Sequence, residues 1–81
     1  MRITIRFFAA ARDLVGCDAV ERDLPPHATV ADLKATLAAE FPALATLLRH
    51  SMIAVGHDYA ADAFVLADGN EVAVIPPVSG G

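Results

Sequence analysis

The sequence predicts an α+β fold: a mixed sheet with one main helix on one face and an extended C-terminal tail. Three observations predict it. An opening segment, Arg2 to Phe8, alternates polar and apolar residues. A single apolar stripe runs through Val30, Leu33, Leu37 and Phe41. A closing segment, Val72 to Ile75, is apolar on both faces and leads into Pro76-Pro77-Val78-Ser79-Gly80-Gly81. At 81 residues the chain makes one domain. A body of this size buries only about 60% of the surface its unfolded chain exposes, which leaves little room for a deep active-site cleft.

In the first segment Ile3, Ile5 and Phe7 share one face, and Arg2, Thr4 and Arg6 share the other, as in a half-buried strand. Phe8 falls on the arginine face, where a polar residue is expected. Ala9 to Val15 fits a helical turn that stops at Gly16. Asp18 to Leu24 is a second strand, paired back as a hairpin. Arg22 shares a parity with Val20 and Leu24, which puts this strand at a sheet edge. Pro25-Pro26 stops it. Thr29 is then an N-cap with Asp32 at the capping-box position. The stripe that follows has spacings of 3, 4 and 4, one face of a helix, and Pro42 ends or kinks that helix. Ala43 to Arg49 continues as a short turn of helix. Met52 to Val55 is a short strand, Gly56-His57-Asp58 a turn, and Tyr59 to Ala61 a brief strand. Asp68-Gly69-Asn70 is a strong turn signal. A strand apolar on both faces, like Val72 to Ile75, is central or covered. One helix on one face of a mixed sheet is the economical way to bury the stripe. This order is that of the β-grasp, or ubiquitin-like, architecture. A ferredoxin-like sandwich needs a second full helix, which the pattern does not supply.

Composition narrows the function classes. Net charge is −4, from 6 Lys+Arg against 10 Asp+Glu, which argues against nucleic acid and anionic membrane as partners. The hydrophobic fraction of 56% includes 17 alanines, so the core falls to the Ile, Val, Leu and Phe positions. No apolar run approaches the ~20 residues of a membrane span. The N-terminus lacks the apolar core of a signal peptide. A single cysteine, Cys17, cannot form an internal disulfide and suits a reducing cytoplasm.

The tail carries the chemistry. Residues 1–75 form the body and 76–81 the arm. Two prolines hold the backbone extended, and six extended residues reach roughly 20 Å. Gly80 lacks Cβ and lets another protein close around the backbone. Gly81 leaves its carboxylate unhindered for attack on a nucleotide phosphate, and the acyl-adenylate so formed is a good acyl donor. A frayed terminus is the ordinary alternative for small residues at a chain end.

Ile5 to Gly16, Ile-Arg-Phe-Phe-Ala-Ala-Ala-Arg-Asp-Leu-Val-Gly, resembles the opening strand and turn of the MoaD family of small molybdopterin synthase subunits. Asp68 to Gly81, Asp-Gly-Asn-Glu-Val-Ala-Val-Ile-Pro-Pro-Val-Ser-Gly-Gly, resembles that family's closing strand and tail. The resemblance spans essentially the whole chain. It implies a ubiquitin-like sulfur carrier with no cofactor bound to the chain itself. An E1-like (MoeB-like) enzyme would use ATP to adenylate Gly81, and a persulfide donor would convert the carboxylate to a thiocarboxylate. The tail would insert into a MoaE-like large subunit, in a heterotetramer, and sulfur would pass to cyclic pyranopterin monophosphate. Gly56 stands where the family often has Asn, and Asn70 where it often has Asp. These departures leave open a carrier for another pathway, such as thiamine synthesis or tRNA thiolation. A β-grasp module that only binds partners is the third reading.

Other residues carry weaker site signals. Cys17 has no second cysteine or nearby histidine to make a redox pair. His50, His57 and Asp58 match no metal-ligand spacing on a helix. Arg6 and Arg12 suit either solvent or a partner's acidic groups. Phe8 and Ile75 are expected on the sheet face away from the helix. An apolar patch there, continued by Pro76, Pro77, Val78 and Ser79, suits a partner interface.

Overall fold

A computed structural model describes residues 1–77. Its strands are β1 (Arg2–Phe7), β2 (Ala19–Asp23), β3 (Met52–Val55), β4 (Asp58–Tyr59) and β5 (Glu71–Ile75). The helices are α1 (Ala9–Val15), α2 (Val30–Glu40) and α3 (Ala45–His50), with a 3-10 turn over Pro42–Leu44. The sheet order is β2-β1-β5-β3-β4, which puts the two-faced apolar strand β5 in the middle. β1 and β5 pair in parallel, Ile5 with Val72 and Phe7 with Val74. The other pairings are antiparallel. No helix among the described residues is long and apolar enough to cross a membrane.

The core lies between one sheet face and the helices. Ile3, Ile5 and Phe7 from β1, Val72 and Val74 from β5 and Ile53 from β3 meet Val30, Leu33 and Leu37 of α2. Leu44 and Leu48 close the far side. Phe41, the last residue of the predicted stripe, is the C-cap of α2. Its ring stands edge-on to Phe7 at 6.2 Å between centroids, a favoured aromatic geometry.

α2 begins with every orphan donor satisfied. The Thr29 side chain accepts from the Asp32 amide and the Asp32 carboxylate accepts from the Thr29 amide. The amides of Val30 and Ala31 donate to the carbonyls of Phe64 and Asp62, at 3.0 Å each. The 61–67 segment therefore caps the helix as well as connecting two strands. At the other end, Arg22 of the edge strand is ion-paired with Glu40 of α2. That explains why an arginine keeps parity with Val20 and Leu24.

The short helices predicted at Ala9–Val15 and after Pro42 are present, and α1 ends on Gly16 at φ 87°. One strand differs: β4 is Asp58–Tyr59 rather than Tyr59–Ala61. Val55 pairs with Asp58, so Gly56 and His57 form a two-residue hairpin turn. Gly56 takes φ 63° at the first turn position, where a left-handed residue matches the strand twist. Asn also tolerates this region, which accounts for the Gly56 departure. At the other departure, the Asn70 side-chain oxygen accepts from the Ala67 amide at 2.8 Å, a bond a carboxylate makes equally well.

Thr29→Ala is expected to cost about 1 kcal/mol, read as a lower urea midpoint at unchanged slope. An unchanged midpoint would mean that the Phe64 and Asp62 carbonyls cap α2 unaided. The Arg22–Glu40 pair gives a pH signature. Its hydrogen bond first, opposed by desolvation and then aided by charge, holds the Glu40 carboxyl below its ordinary value of 4.5. The same hydrogen bond raises Arg22, whose contribution therefore persists to strongly alkaline pH. A carboxyl depressed by folding stabilises above its unfolded value and loses that contribution as pH falls through its folded value. The stability gap between the natural chain and Glu40→Gln should be present at neutral pH and shrink below pH 4.5. A gap unchanged in acid would sink this assignment.

Candidate functional site: the open sheet face and the tail it leads to

The sheet face opposite the helices is mapped by strand register. Phe7 pairs with Val74, so Phe8, which keeps an extended backbone at φ −121° and ψ 152°, follows on beside Ile75. Ile75 pairs in turn with Met52 of β3. This row is Phe8, Ile75 and Met52. The next row is Arg6, Ala73, Ala54 and Tyr59, and the third holds Thr4 and Glu71. Phe8 is 48% exposed, Met52 52% and Tyr59 69%, large apolar groups facing solvent together. Phe8 and Met52 flank Ile75 at the end of β5 from which the chain leaves toward its tail, and Tyr59 stands one row back on the edge strand.

The charged groups stay out of the Phe8, Ile75 and Met52 row, with Arg6 one row away in the row that also holds Tyr59. Arg6 Nε donates to Glu71 Oε1 at 2.5 Å. Arg2 Nη1 lies 3.2 Å from Asp23 Oδ1, with Glu21 close by. Each arginine is neutralised by an acidic neighbour on the same face, so the face presents apolar area with a paired ionic rim. Such a face is suited to contact with another molecule: apolar area supplies the gain and the rim sets orientation.

The backbone holds Phe8 in place. Ala9 adopts φ 49°, an uncommon conformation for a residue with a Cβ. It turns the chain from β1 into α1 directly after Phe8, and the Ala11 amide closes the bend onto the Phe8 carbonyl at 3.1 Å. Phe8 is thereby the N-cap residue of α1, not the last residue of the strand.

The structure brings Phe8 and Ile75 together, as the parities require. Pro76 is buried, and Pro77 is exposed. Val78, Ser79, Gly80 and Gly81 lie outside the described residues. Met52 and Tyr59 carry no sequence signal for this face. Met52-Ile53-Ala54-Val55 is apolar throughout, so alternation cannot say which pair faces outward until the register with β5 is known. Cys17 is exposed in the loop after α1, near the Arg12–Asp18 ion pair at 3.7 Å. His50 closes α3, while His57 and Asp58 belong to the β3–β4 hairpin.

Three comparisons bear on this body and its tail. The ThiS family model matches residues 5–81, and so includes the terminal glycines. The molybdopterin synthase sulfur carrier subunit of Escherichia coli is 40% identical over 83 aligned positions, covering 98% of this chain and 99% of its own. That of Chlamydomonas reinhardtii is 36% identical, with 100% of both chains covered. The crystal structure of SAMP1 from Haloferax volcanii superposes with a TM-score of 0.89 at 29% identity, again over 100% of both chains. A sheet with a parallel central pair, an open apolar face at the tail end and full-length similarity all agree. The chain belongs to the ThiS family, together with the molybdopterin synthase sulfur carrier subunits.

Proposed function

We propose that the chain delivers sulfur from its C-terminal glycine to a pterin precursor bound by a larger partner subunit, in molybdopterin synthesis. The observation that carries this reading is the position of the apolar face: Phe8, Ile75 and Met52 sit where the central strand gives way to the Gly80-Gly81 tail. A partner docked there receives the tail at the same time. Family membership over the full length supports the assignment of sulfur carriage.

The chemistry is as follows. The Gly81 carboxylate attacks the α-phosphorus of ATP on an E1-like enzyme, expelling pyrophosphate and giving an acyl-adenylate. A persulfide sulfur then displaces AMP at the acyl carbon, and reduction of the resulting acyl disulfide by a thiol leaves the thiocarboxylate. The chain itself binds no cofactor in this scheme. The MoaE-like subunit supplies the pocket for cyclic pyranopterin monophosphate and the acid–base groups. The body orients the arm and is recognised.

Likeness to small archaeal modifier protein 1 of Haloferax volcanii favours a second reading. In it, the same activated carboxylate is passed to an amine of another protein and forms an amide.

Intact mass measurement separates these readings. Incubation with the E1-like enzyme, ATP and a persulfide donor is expected to exchange one oxygen for sulfur on the natural chain, and to leave a chain lacking Gly81 without sulfur at its own terminus. Absence of the exchange would sink the carrier reading, and protein–protein amides would favour the second. Phe8→Ala and Ile75→Ala are each expected to weaken binding to the large subunit by about 1–2 kcal/mol, roughly five- to thirtyfold in Kd. Titration calorimetry reads that loss, and unaltered affinity in both variants would move the interface elsewhere.

A further inference from the structure

We infer that this chain is a donor-only acyl carrier: its amines are withheld from the activated carboxylate, so the acyl group leaves only to another molecule. The inference rests on the tail chemistry proposed above and concerns residues that take no part in it.

An acyl-adenylate reacts with any free amine it meets. The amine nitrogen would attack the Gly81 carbonyl carbon, the bond to the phosphate oxygen would break, AMP would leave and a proton would be released. The product is an amide, and a carrier captured this way by another copy is lost. The six cationic residues are chosen against that outcome. Five are arginines, at positions 2, 6, 12, 22 and 49, and one is Lys34. An arginine guanidinium stays protonated in proteins and is no nucleophile.

Lys34 is held. Its side chain is 24% exposed, and Nζ donates to Asp62 Oδ1 at 2.7 Å. Asp62 is itself fixed, because its carbonyl accepts from the Ala31 amide at the start of α2. The ion pair thus joins two segments that are already tied by backbone bonds. To reach an outside carbonyl the Lys34 amine has to swing away from Asp62, which gives up this ion pair. The Met1 amine is also engaged: it donates to the Leu24 carbonyl at 2.7 Å, while the Leu24 amide donates back to the Met1 carbonyl. The thiol of Cys17 is exposed, but it forms only a thioester. A thioester remains an acyl donor and returns the group to the next thiol.

Acylation rates test this without any activating enzyme, so failure here is separable from failure of the tail chemistry. The chain carrying Arg49→Lys is treated with a limiting amount of the N-hydroxysuccinimide ester of acetic acid. Peptide mapping then compares labelling at position 34 with labelling at the exposed position 49 of the same molecule. Position 34 should react more slowly by about fivefold, the scale of one partly exposed ion pair. Adding Asp62→Asn, which keeps the shape and removes the charge, should bring the two rates to within about twofold. Equal rates with Asp62 intact would overturn the inference, and so would a slow position 34 that Asp62→Asn leaves slow.

Discussion

The parallel pairing of β1 with β5 is the constraint on which the rest of this molecule depends. It joins the first strand of the chain to the last described one, Ile5 beside Val72 and Phe7 beside Val74. These four side chains form the floor on which α2 lies. Both strands must then have neighbours on their other sides. β2 covers β1, β3 covers β5, and the sheet order follows. The same register sets the opposite face. Because Phe7 lies beside Val74, Phe8 lies beside Ile75, and the apolar patch is a by-product of the pairing that builds the core. A one-residue slip would exchange the two faces of β5 and scatter both the core and the patch.

Much of this was legible in the sequence because each signal had a local cause. Thr29 and Asp32 announce the start of α2 through chemistry confined to one turn. Gly16, Pro42 and Asp68-Gly69-Asn70 end or turn the chain by backbone preference alone. The two-sided apolar character of Val72 to Ile75 pointed to the central strand, where Val72 and Val74 face the helices and Ala73 and Ile75 lie on the open face. What stayed hidden was non-local. Whether Met52 or Ile53 faces the helix depends on a partner strand some twenty residues later. The start of β4 at Asp58 depends on a hairpin that needs only Gly56 and His57 to turn. The capping of Val30 and Ala31 by carbonyls at positions 64 and 62 has no sequence signature at all. The tail was legible for a different reason: its residue types carry the chemistry, whatever shape they take.

Burial is divided between the faces. The helix-covered face carries the stability. The open face carries apolar side chains that contribute little to it and so can be given to contact with another molecule. Arg2 and Arg6 on this face are each paired with acidic neighbours, so the face avoids a long-range field that would attract polyanions.

The β1–β5 pairing also has a consequence for how the protein comes into being. Its contacts link residues 4–7 to residues 71–74, almost the full separation that the chain offers. Pairings of such sequence range raise the contact order and slow folding. More to the point, the hydrophobic floor has no centre until β5 is made. A chain still being synthesised therefore holds an incomplete sheet, and a product cut short before Glu71 has no body to display. Only a molecule translated through its last strand becomes compact, and that same strand leads directly into the glycines. Completion of the fold thus requires synthesis to reach the strand from which the arm departs.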